Sequence, residues 1–248
     1  MVFSQFLSNR KMPNATAVIF ATLLTSSLRE SPEHCSNVER WVKQLLCVDV
    51  HRENIAVLVT RNVDTSTVTR LRELGARVHT VPVVSVSGTA RYRRTTTKIY
   101  LWTLVQYERI VYYDADMFFF QSPYLCLSAC PESAELCAVS DPAATFPRHD
   151  PNYFNSGFMV LRPGLETFQE LKRNVHLAVG QTFGDQALFN RIFARRRVLV
   201  SKNCNFLHVA DDLPGVARSR EVVAVHEKVR FMRRLLPRGH RVSRCVGW

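Results

Sequence analysis

The stretch RIVYYDADMFFF, residues 109–120, decides how the whole chain is interpreted. After Arg109 it begins with β-branched and aromatic residues, which are typical of a buried strand. Asp114 and Asp116 follow two residues apart, a spacing that places both side chains on the same side of an extended backbone. Because neighbouring carboxylates repel each other, the pair is costly unless a cation or a group of hydrogen-bond donors offsets its charge.

The chain before this stretch alternates between strand and helix patterns. Apolar, β-branched runs at residues 16–24 and 54–60 are typical of strands buried on both faces. The segment 31–48 between them predicts a helix that Ser31 can cap. A second helix ending at Gly75 and a third strand follow, so the first third of the chain predicts parallel strands joined by helices.

The rest of the chain continues this alternation less regularly. Residues 135–163 predict strands interrupted by a proline-containing loop, and a late short strand ends at His226. Further helices are predicted at residues 95–107, 165–179 and 185–194. Since no repeat or linker interrupts the chain, we expect residues 1–248 to form a single domain of the α/β class, with a mostly parallel central sheet flanked by helices.

The composition describes a basic, globular chain. Its hydrophobic fraction of 46% supports a large core, and no apolar run approaches the ~18 residues of a membrane span. The formal net charge is +12, and residues 189–248 hold 14 Lys and Arg against four Asp and Glu. Such a surface favours a nucleotide, a nucleic acid or an anionic membrane, although a solvated basic face is an equally good interpretation.

The seven cysteines show no CxxC pair. We interpret most of them as buried thiols in a reducing compartment, with a zinc site as the less favoured alternative. No signal-peptide layout is evident, which agrees with a cytoplasmic location.

The position of the acidic pair indicates a metal site. In a parallel sheet, ligands bind beyond the carboxyl ends of the strands, where Asp114 and Asp116 are expected. Carboxylate oxygens suit Mg²⁺ or Mn²⁺, which leave coordination positions free for substrate phosphates. His226 is a candidate third ligand, and Lys98 could meet a phosphate or a carboxylate. The alternative for an isolated Asp-x-Asp is a solvated turn.

Two later motifs carry polar groups suited to a sugar. Asn155, Ser156 and Gly157 precede an apolar strand, and small or amide side chains can approach hydroxyl groups closely. Asp185 and Gln186 open a helix, where Asp185 could face a substrate or cap the helix.

The order and spacing of these motifs resemble glycosyltransferase family 8, the retaining nucleotide-sugar transferases that include glycogenin and galactinol synthase. The resemblance rests on FATLLT (20–25), TKIYLWTLVQYERIVYYDAD (97–116), NSGFMVLRP (155–163), GDQALFN (184–190) and the late His226. It implies a Rossmann-like fold of the GT-A type. It also implies a Mn²⁺-dependent enzyme, with Mg²⁺ as a second option, that moves glucose or galactose from a UDP-sugar to a separate acceptor.

The resemblance implies the partners and the residue roles as well. The acceptor would be a carbohydrate, a polyol or a glycoconjugate; nucleic acid is not expected, while a homodimer and a membrane contact through the basic C-terminal region are left open. Asp114, Asp116 and His226 would bind the metal, and Asp185 and Gln186 would be catalytic. The residues implied to bind the UDP-sugar are Thr22, Leu23, Thr25, Lys98, Asp114, Ala115, Asp116, Asn155, Ser156, Gly157, Asp185 and Gln186.

The sequence leaves the chemical route open. A double displacement needs a carboxylate nucleophile, for which Asp185 is the candidate and Gln186 the next polar group. A one-face route would instead use the leaving phosphate to deprotonate the acceptor. Asp141 is similar to an acid on the acceptor side of the family's site.

Several positions depart from the family pattern. His226 is not followed by the family's Gly and Lys-Pro-Trp, whose lysine reaches the diphosphate. The side chains that could replace that lysine are Lys228, Arg230 and Arg233. SSLRE at 26–30 replaces an expected Asn and Tyr, and Thr182 replaces an acid, so a weak or inactive nucleotide-sugar-binding protein is the alternative. No tyrosine follows Tyr153, so priming of the glycogenin type is not expected.

Overall fold

A seven-stranded sheet forms the centre of the protein in the computed structural model, which describes residues 17–87, 92–145, 147–181, 184–207, 221–226, 232 and 244–245. The strands in these ranges are β1 (Val18–Leu24), β2 (Ile55–Thr60), β3 (Arg77–Val81), β4 (Arg109–Tyr113), β5 (Met117–Phe119), β6 (Leu136–Ser140), β7 (Phe154–Leu161), β8 (Arg197–Leu199) and β9 (Ala224–His226). The sheet order is β3-β2-β1-β4-β7-β6-β8. Only β7 runs antiparallel to its neighbours in this sheet, so the predicted mostly parallel α/β sheet is confirmed.

Helices cover both faces of the sheet. They are α1 (Pro32–Cys47), α2 (Thr65–Glu73), α3 (Tyr124–Ser128), α4 (Leu165–Arg173) and α5 (Gly184–Ile192). Phe20 packs on the face that carries Trp41 of α1, whereas Ile19 packs on the face that carries Phe189 of α5. Burial on both faces explains why β1 and β2 are apolar throughout. None of the described helices combines the length and the apolar character needed to cross a membrane.

The helix ends follow signals that the sequence contains. Ser31 accepts a hydrogen bond on its Oγ from the backbone N–H of His34 at 3.3 Å, which confirms the predicted cap of α1. Gly75 follows α2 with a φ of 95°, a left-handed conformation that favours glycine.

Several elements differ from the predictions. The helix predicted over 165–179 ends at Arg173 and is followed by a 3₁₀ turn (Val175–Ala178), and the short helix α3 was not predicted. Thr95–Thr103 forms a 3₁₀-helix where a regular helix was predicted. Its first three residues are threonines, which lose side-chain freedom in an α-helix. Strand β8 was not predicted, because it is a short edge strand with exposed Val198 and Leu199 that follows consecutive arginines.

The strand order reverses between β1 and β4. The chain runs outward through β2 and β3, then returns to place β4 on the other side of β1. Connections diverge at such a point and leave a crevice beyond the carboxyl ends of the two strands. After β4 the chain passes Asp114 and Asp116 and enters β5, which pairs with β9 in a separate two-stranded sheet.

Six of the seven cysteines form disulfide bonds, so the prediction of mostly buried thiols is wrong. The pairs are Cys47–Cys245, Cys126–Cys204 and Cys130–Cys137, while Cys35 is a buried free thiol. Two of the bonds join residues 198 and 78 positions apart, and such long-range pairing cannot be deduced from spacing alone. With six thiols used in this way, no cysteine cluster remains for zinc.

Candidate active site

A cleft of about 910 Å³ opens where β1 and β4 end. This volume is within the usual range for small-molecule sites. The predicted site residues that line it are Leu23, Thr25, Lys98, Asp114, Ala115, Asp116, Asn155, Ser156, Gly157, Asp185, Gln186 and His226. Thr22 is fully buried within β1 and is not among the residues that line the cleft.

The structure brings the three predicted metal ligands together. Asp114, Asp116 and His226 each place one potential ligand atom within 4.8 Å of those of the other two. The β5–β9 pairing sets Met117 opposite His226, which places His226 Nε2 3.0 Å from Asp116 Oδ1. Two carboxylates and an imidazole are a donor set that can hold a divalent metal ion.

Gly157 keeps the space beside these ligands open. A Cβ at this position would lie 2.7 Å from Asn155 Oδ1, 2.8 Å from His226 Cε1 and 3.0 Å from Asp114 Oδ2. The backbone N–H of Asp114 donates to Gly157 O at 2.8 Å, so β7 holds the acidic turn directly against this gap. The arrangement fits a divalent ion, since oxygen and nitrogen donors surround a space that any side chain would fill.

Charge governs the state of His226. Burial alone would lower its pKa, but the carboxylates of Asp116 and Asp114 raise the pKa above its ordinary value. Its Nδ1 is buried and has no hydrogen-bond partner among the described residues. A protonated His226 therefore offsets part of the acidic pair, and a bound cation would compete with that proton.

Lys98 connects the acidic turn to α5. Its Nζ lies 3.0 Å from Asp114 Oδ1 and 2.8 Å from Asp185 Oδ2, and it donates to Ser156 O at 3.2 Å. The side chain is 3% exposed. Burial would lower the pKa of Lys98, but the carboxylates of Asp114 and Asp185 raise it above its ordinary value, so the residue stays a buried ammonium. Of the two partners that the sequence left open for Lys98, a phosphate or a carboxylate, the structure shows carboxylates.

Asp185 faces the cleft instead of capping its helix. It accepts hydrogen bonds from Ser156 Oγ at 2.7 Å and from Thr95 Oγ1 at 2.5 Å, in addition to its contact with Lys98. Burial raises the pKa of Asp185, but Lys98 and the two hydroxyls more than offset that effect and lower it. The residue is therefore a buried carboxylate.

A second set of hydrogen bonds continues from this cluster toward Asp141. Gln186 Oε1 accepts from the backbone N–H of Ser156 at 3.1 Å, and Gln186 Nε2 donates to Asp141 Oδ2 at 3.3 Å. The same Asp141 oxygen accepts from Asn155 Nδ2 at 2.9 Å. Asp141 therefore orients two of the predicted site residues.

Sequence reasoning missed Tyr112. Its hydroxyl donates to Asp114 Oδ1 at 2.5 Å, and burial together with Asp114 raises its pKa well above the ordinary value. The tyrosine therefore remains a hydrogen-bond donor at the acidic turn. The only sequence signal is its position two residues before Asp114, which places both side chains on the same side of an extended backbone.

Sequence reasoning also missed the groups at the β1 end of the cleft. Arg94 forms an ion pair with Glu30 at 2.9 Å and donates to Thr25 O at 2.8 Å. The hydrogen bond from Arg94 is the main cause that lowers the pKa of Glu30 to about 2. His34 reaches the same region, with Nε2 3.2 Å from Leu23 O. Partners so far apart along the chain leave no local pattern.

Four residues singled out by the sequence lie outside the described residues. They are Thr182, Lys228, Arg230 and Arg233.

Known proteins share this architecture. The family model for nucleotide-diphospho-sugar transferases matches residues 53–233. The chain is 37% identical over 103 residues to glycogenin-1 of Mus musculus, and 25% identical over 131 residues to galactinol synthase 5 of Arabidopsis thaliana. The solved structure of the galactosyltransferase LgtC with donor and acceptor sugar analogues superposes with a TM-score of 0.63 at 12% identity, over 93% of this chain and 95% of LgtC.

The chain belongs to the nucleotide-diphospho-sugar transferase family. The resemblance to glycosyltransferase family 8 is confirmed by the glycogenin and galactinol synthase matches, and the GT-A type of fold by the LgtC superposition. The two sequence matches cover 40% and 42% of this chain and only 27% and 39% of those proteins.

Proposed function

We propose that the protein is a retaining glycosyltransferase that moves a hexose from a UDP-sugar to a separate acceptor and depends on Mn²⁺. The observation that carries the proposal is the convergence of Asp114, Asp116 and His226 at the β1–β4 crevice, beside the gap at Gly157. These three side chains would hold Mn²⁺, or alternatively Mg²⁺. When bound, the ion would neutralise charge that develops on the diphosphate leaving group.

The proposed donor position follows the cleft from β1 toward α5. The nucleoside would lie against Leu23 and Thr25, and the diphosphate beside the acidic turn. The sugar would then reach the cluster around Asn155 and Asp185. Support for this order comes from Asn155 and Gln186, whose amide groups line the α5 end of the cleft and suit sugar hydroxyls.

The contacts of Asp185 favour a positioning role over a nucleophilic one. Both of its carboxylate oxygens accept hydrogen bonds, and one of them also contacts Lys98. These contacts stabilise the charge and so reduce its nucleophilicity. We therefore propose the one-face route, in which Asp185 and Gln186 orient the sugar and the leaving phosphate takes the acceptor proton.

The proposed acceptor is a separate carbohydrate, polyol or glycoconjugate. Asp141 and Tyr153 both contact Gln186, which lines the cleft, and the acceptor hydroxyl would approach from their side. Burial raises the pKa of Tyr153 to about 12, so its phenol stays protonated and can donate a hydrogen bond. Since none of the tyrosines in this sequence follows Tyr153, a self-glycosylated tyrosine of the glycogenin type is not part of the proposal.

Release of UDP from UDP-glucose and UDP-galactose, with and without Mn²⁺, tests the proposal. Asp114→Ala and Asp116→Ala should each reduce the rate by about 100-fold or more while the protein stays folded, because both side chains are partly exposed metal ligands. Glu73→Ala, on the exposed surface of α2, is the matched control and should keep wild-type activity.

Near-normal, metal-dependent release by either aspartate variant would contradict the proposed site. Wild-type protein that binds UDP with Mn²⁺ but releases none from either donor would favour the alternative, a nucleotide-sugar-binding protein with little or no activity.

A further inference from the structure

We propose that the Cys126–Cys204 disulfide bond positions His226 for metal binding. This inference rests on the proposed function, since it takes Asp114, Asp116 and His226 as a metal site. The bond lies outside the cleft, and its role is to hold the backbone that carries the histidine.

The strand that carries His226 has little support of its own. Strand β9 is three residues long and pairs with the equally short β5, in a two-stranded sheet separate from the central one. Isolated two-stranded ribbons are marginally stable in water. The position of His226 relative to Asp116 must therefore depend on what packs against β9.

Residues 201–206, here called the 201–206 segment, supply that support. The backbone N–H of Phe206 donates to Ala224 O at 2.9 Å, and the N–H of His226 donates to Phe206 O at 3.0 Å. The N–H of Val223 donates to Asn203 O at 2.8 Å. Phe206 thus pairs with both ends of β9, including His226 itself, and Asn203 holds the residue that precedes the strand.

The disulfide bond connects the 201–206 segment back to the chain that follows β5. Cys204 lies within the 201–206 segment, and Cys126 lies in α3, which follows β5 directly. Asp116 directly precedes β5, and His226 ends β9. The bond therefore links the segment after β5 to the segment that pairs with β9, and these two strands carry two of the proposed metal ligands. Both cysteines are buried, at 0% and 4% exposure, so the bond is part of the packed structure.

The same segment also reaches the sugar side of the site. Asn205 is fully buried, and its Nδ2 donates to Asn155 Oδ1 at 3.0 Å. That oxygen also accepts from the backbone N–H of Gly157 at 2.8 Å. A shift of the segment would therefore disturb both the histidine ligand and the gap at Gly157.

A second disulfide bond provides a matched control. Cys130–Cys137 joins residues only 7 positions apart, in the connection from α3 to β6. Removing it also eliminates a buried sulfur in β6 but leaves the link between α3 and the 201–206 segment intact. The two bonds thus separate a general loss of cross-linking from a loss of positioning.

The test compares Cys126→Ala/Cys204→Ala with Cys130→Ala/Cys137→Ala by two measurements. Mn²⁺ titration calorimetry in the presence of UDP should show the dissociation constant for Mn²⁺ rising about tenfold or more in the first variant, as when support of a metal ligand is lost, and changing less than about twofold in the control. Hydrogen exchange without metal should accelerate at the amides of Phe206, Val223 and His226 in the first variant, while β1 and β2 stay protected.

Each outcome decides the proposal. Wild-type Mn²⁺ affinity and unchanged exchange in the Cys126/Cys204 variant would overturn the positioning role and leave the proposed function standing. Failure of the wild-type protein to bind Mn²⁺ would overturn both. If the alanine variant loses protection throughout the sheet, Cys126→Ala/Cys204→Val, which keeps more of the buried volume, is measured in its place. Loss of protection in β1 and β2 there as well would make the bond a general cross-link and refute the positioning role.

Discussion

At the scale of single residues, two cations make the acidic turn tolerable before any metal binds. Lys98 contacts Asp114 and His226 contacts Asp116, so each carboxylate has its own positive partner when the histidine is protonated. Lys98 is nearly fully buried and also forms an ion pair with Asp185, so its position beside Asp114 is fixed. A divalent ion can replace the proton of His226 and so take over its positive charge, which leaves the neutral imidazole as a ligand.

The gap at Gly157 leads to a prediction about metal affinity. Gly157→Ala would place a methyl group within 3.0 Å of Asn155 Oδ1, His226 Cε1 and Asp114 Oδ2. Because two of these side chains are proposed ligands, the dissociation constant for Mn²⁺, measured by calorimetry with UDP present, should rise about tenfold or more. Gly164→Ala is the control, since the nearest atom there is 4.0 Å away. Equal affinities in the two variants would show that the gap does not serve the ion.

The raised pKa of His226 predicts a pH dependence of metal binding. Mn²⁺ needs the neutral imidazole, so affinity should be complete above the pKa of the metal-free histidine and fall as the pH drops through it. Because that pKa is raised, the loss should begin at a higher pH than for an ordinary histidine at about 6.5. Mn²⁺ titrations from about pH 8 to pH 5.5 measure it. His226→Gln should bind more weakly with a flatter profile, whereas an unchanged slope would assign the dependence to another group.

At the scale of elements, α1 begins at a side-chain cap whose loss should be measurable. Ser31→Ala removes the hydrogen bond from the His34 backbone N–H and should lower the free energy of unfolding by about 1 kcal/mol in urea denaturation. Ser36→Ala, at an exposed position inside α1, should instead be neutral or slightly stabilising because alanine has the higher helix propensity. If the two variants were equally stable, Ser31 would not be acting as a cap.

Elements with strong local signals were predictable, and elements that depend on distant partners were not. Strands β1 and β2 are apolar throughout because they are buried on both faces, α1 begins at the Ser31 cap, and α2 is followed by Gly75. The predicted cap at the start of α2 does not form, because Asp64 accepts a hydrogen bond from Leu28 instead. Strand β8 exists because it pairs with β6. The 3₁₀ geometry of Thr95–Thr103 positions Lys98 and Thr95 against Asp185, a constraint invisible in the local sequence.

The candidate site divides in the same way. The acidic turn, the Asn155–Gly157 motif and the Asp185–Gln186 pair are short motifs, and the structure brings all of them to one cleft. The Glu30–Arg94 pair joins positions 64 residues apart, so no spacing could indicate it. An aromatic residue within a strand is typical of a core position, so the sequence did not indicate that the Tyr112 hydroxyl donates to Asp114.

At the scale of the whole molecule, the disulfide bonds change the expected environment. Three such bonds are typical of proteins that mature in an oxidising compartment. The cytoplasmic location inferred from the sequence therefore stays an untested prediction with this pattern against it. Homodimer formation and membrane contact through the basic C-terminal region, which the sequence leaves open, stay open.

The pairing of cysteines can be counted directly. Denatured protein, alkylated without reductant and examined by mass spectrometry, should carry one label per chain, at Cys35, because the other six cysteines are paired. The same protein reduced first should carry seven labels, one for each cysteine in the sequence, which is the control for complete labelling. Seven labels without reductant would mean that the protein, as isolated, is fully reduced.

The most direct test of the central claim is a calorimetric titration of UDP with and without Mn²⁺, on the wild-type protein and on Asp116→Asn. The claim is that Asp114, Asp116 and His226 bind a divalent ion that holds the donor diphosphate. It predicts UDP binding that requires Mn²⁺ in the wild-type protein and is lost in a folded Asp116→Asn variant. Equal, metal-independent binding by both proteins, or no binding by either, would contradict it.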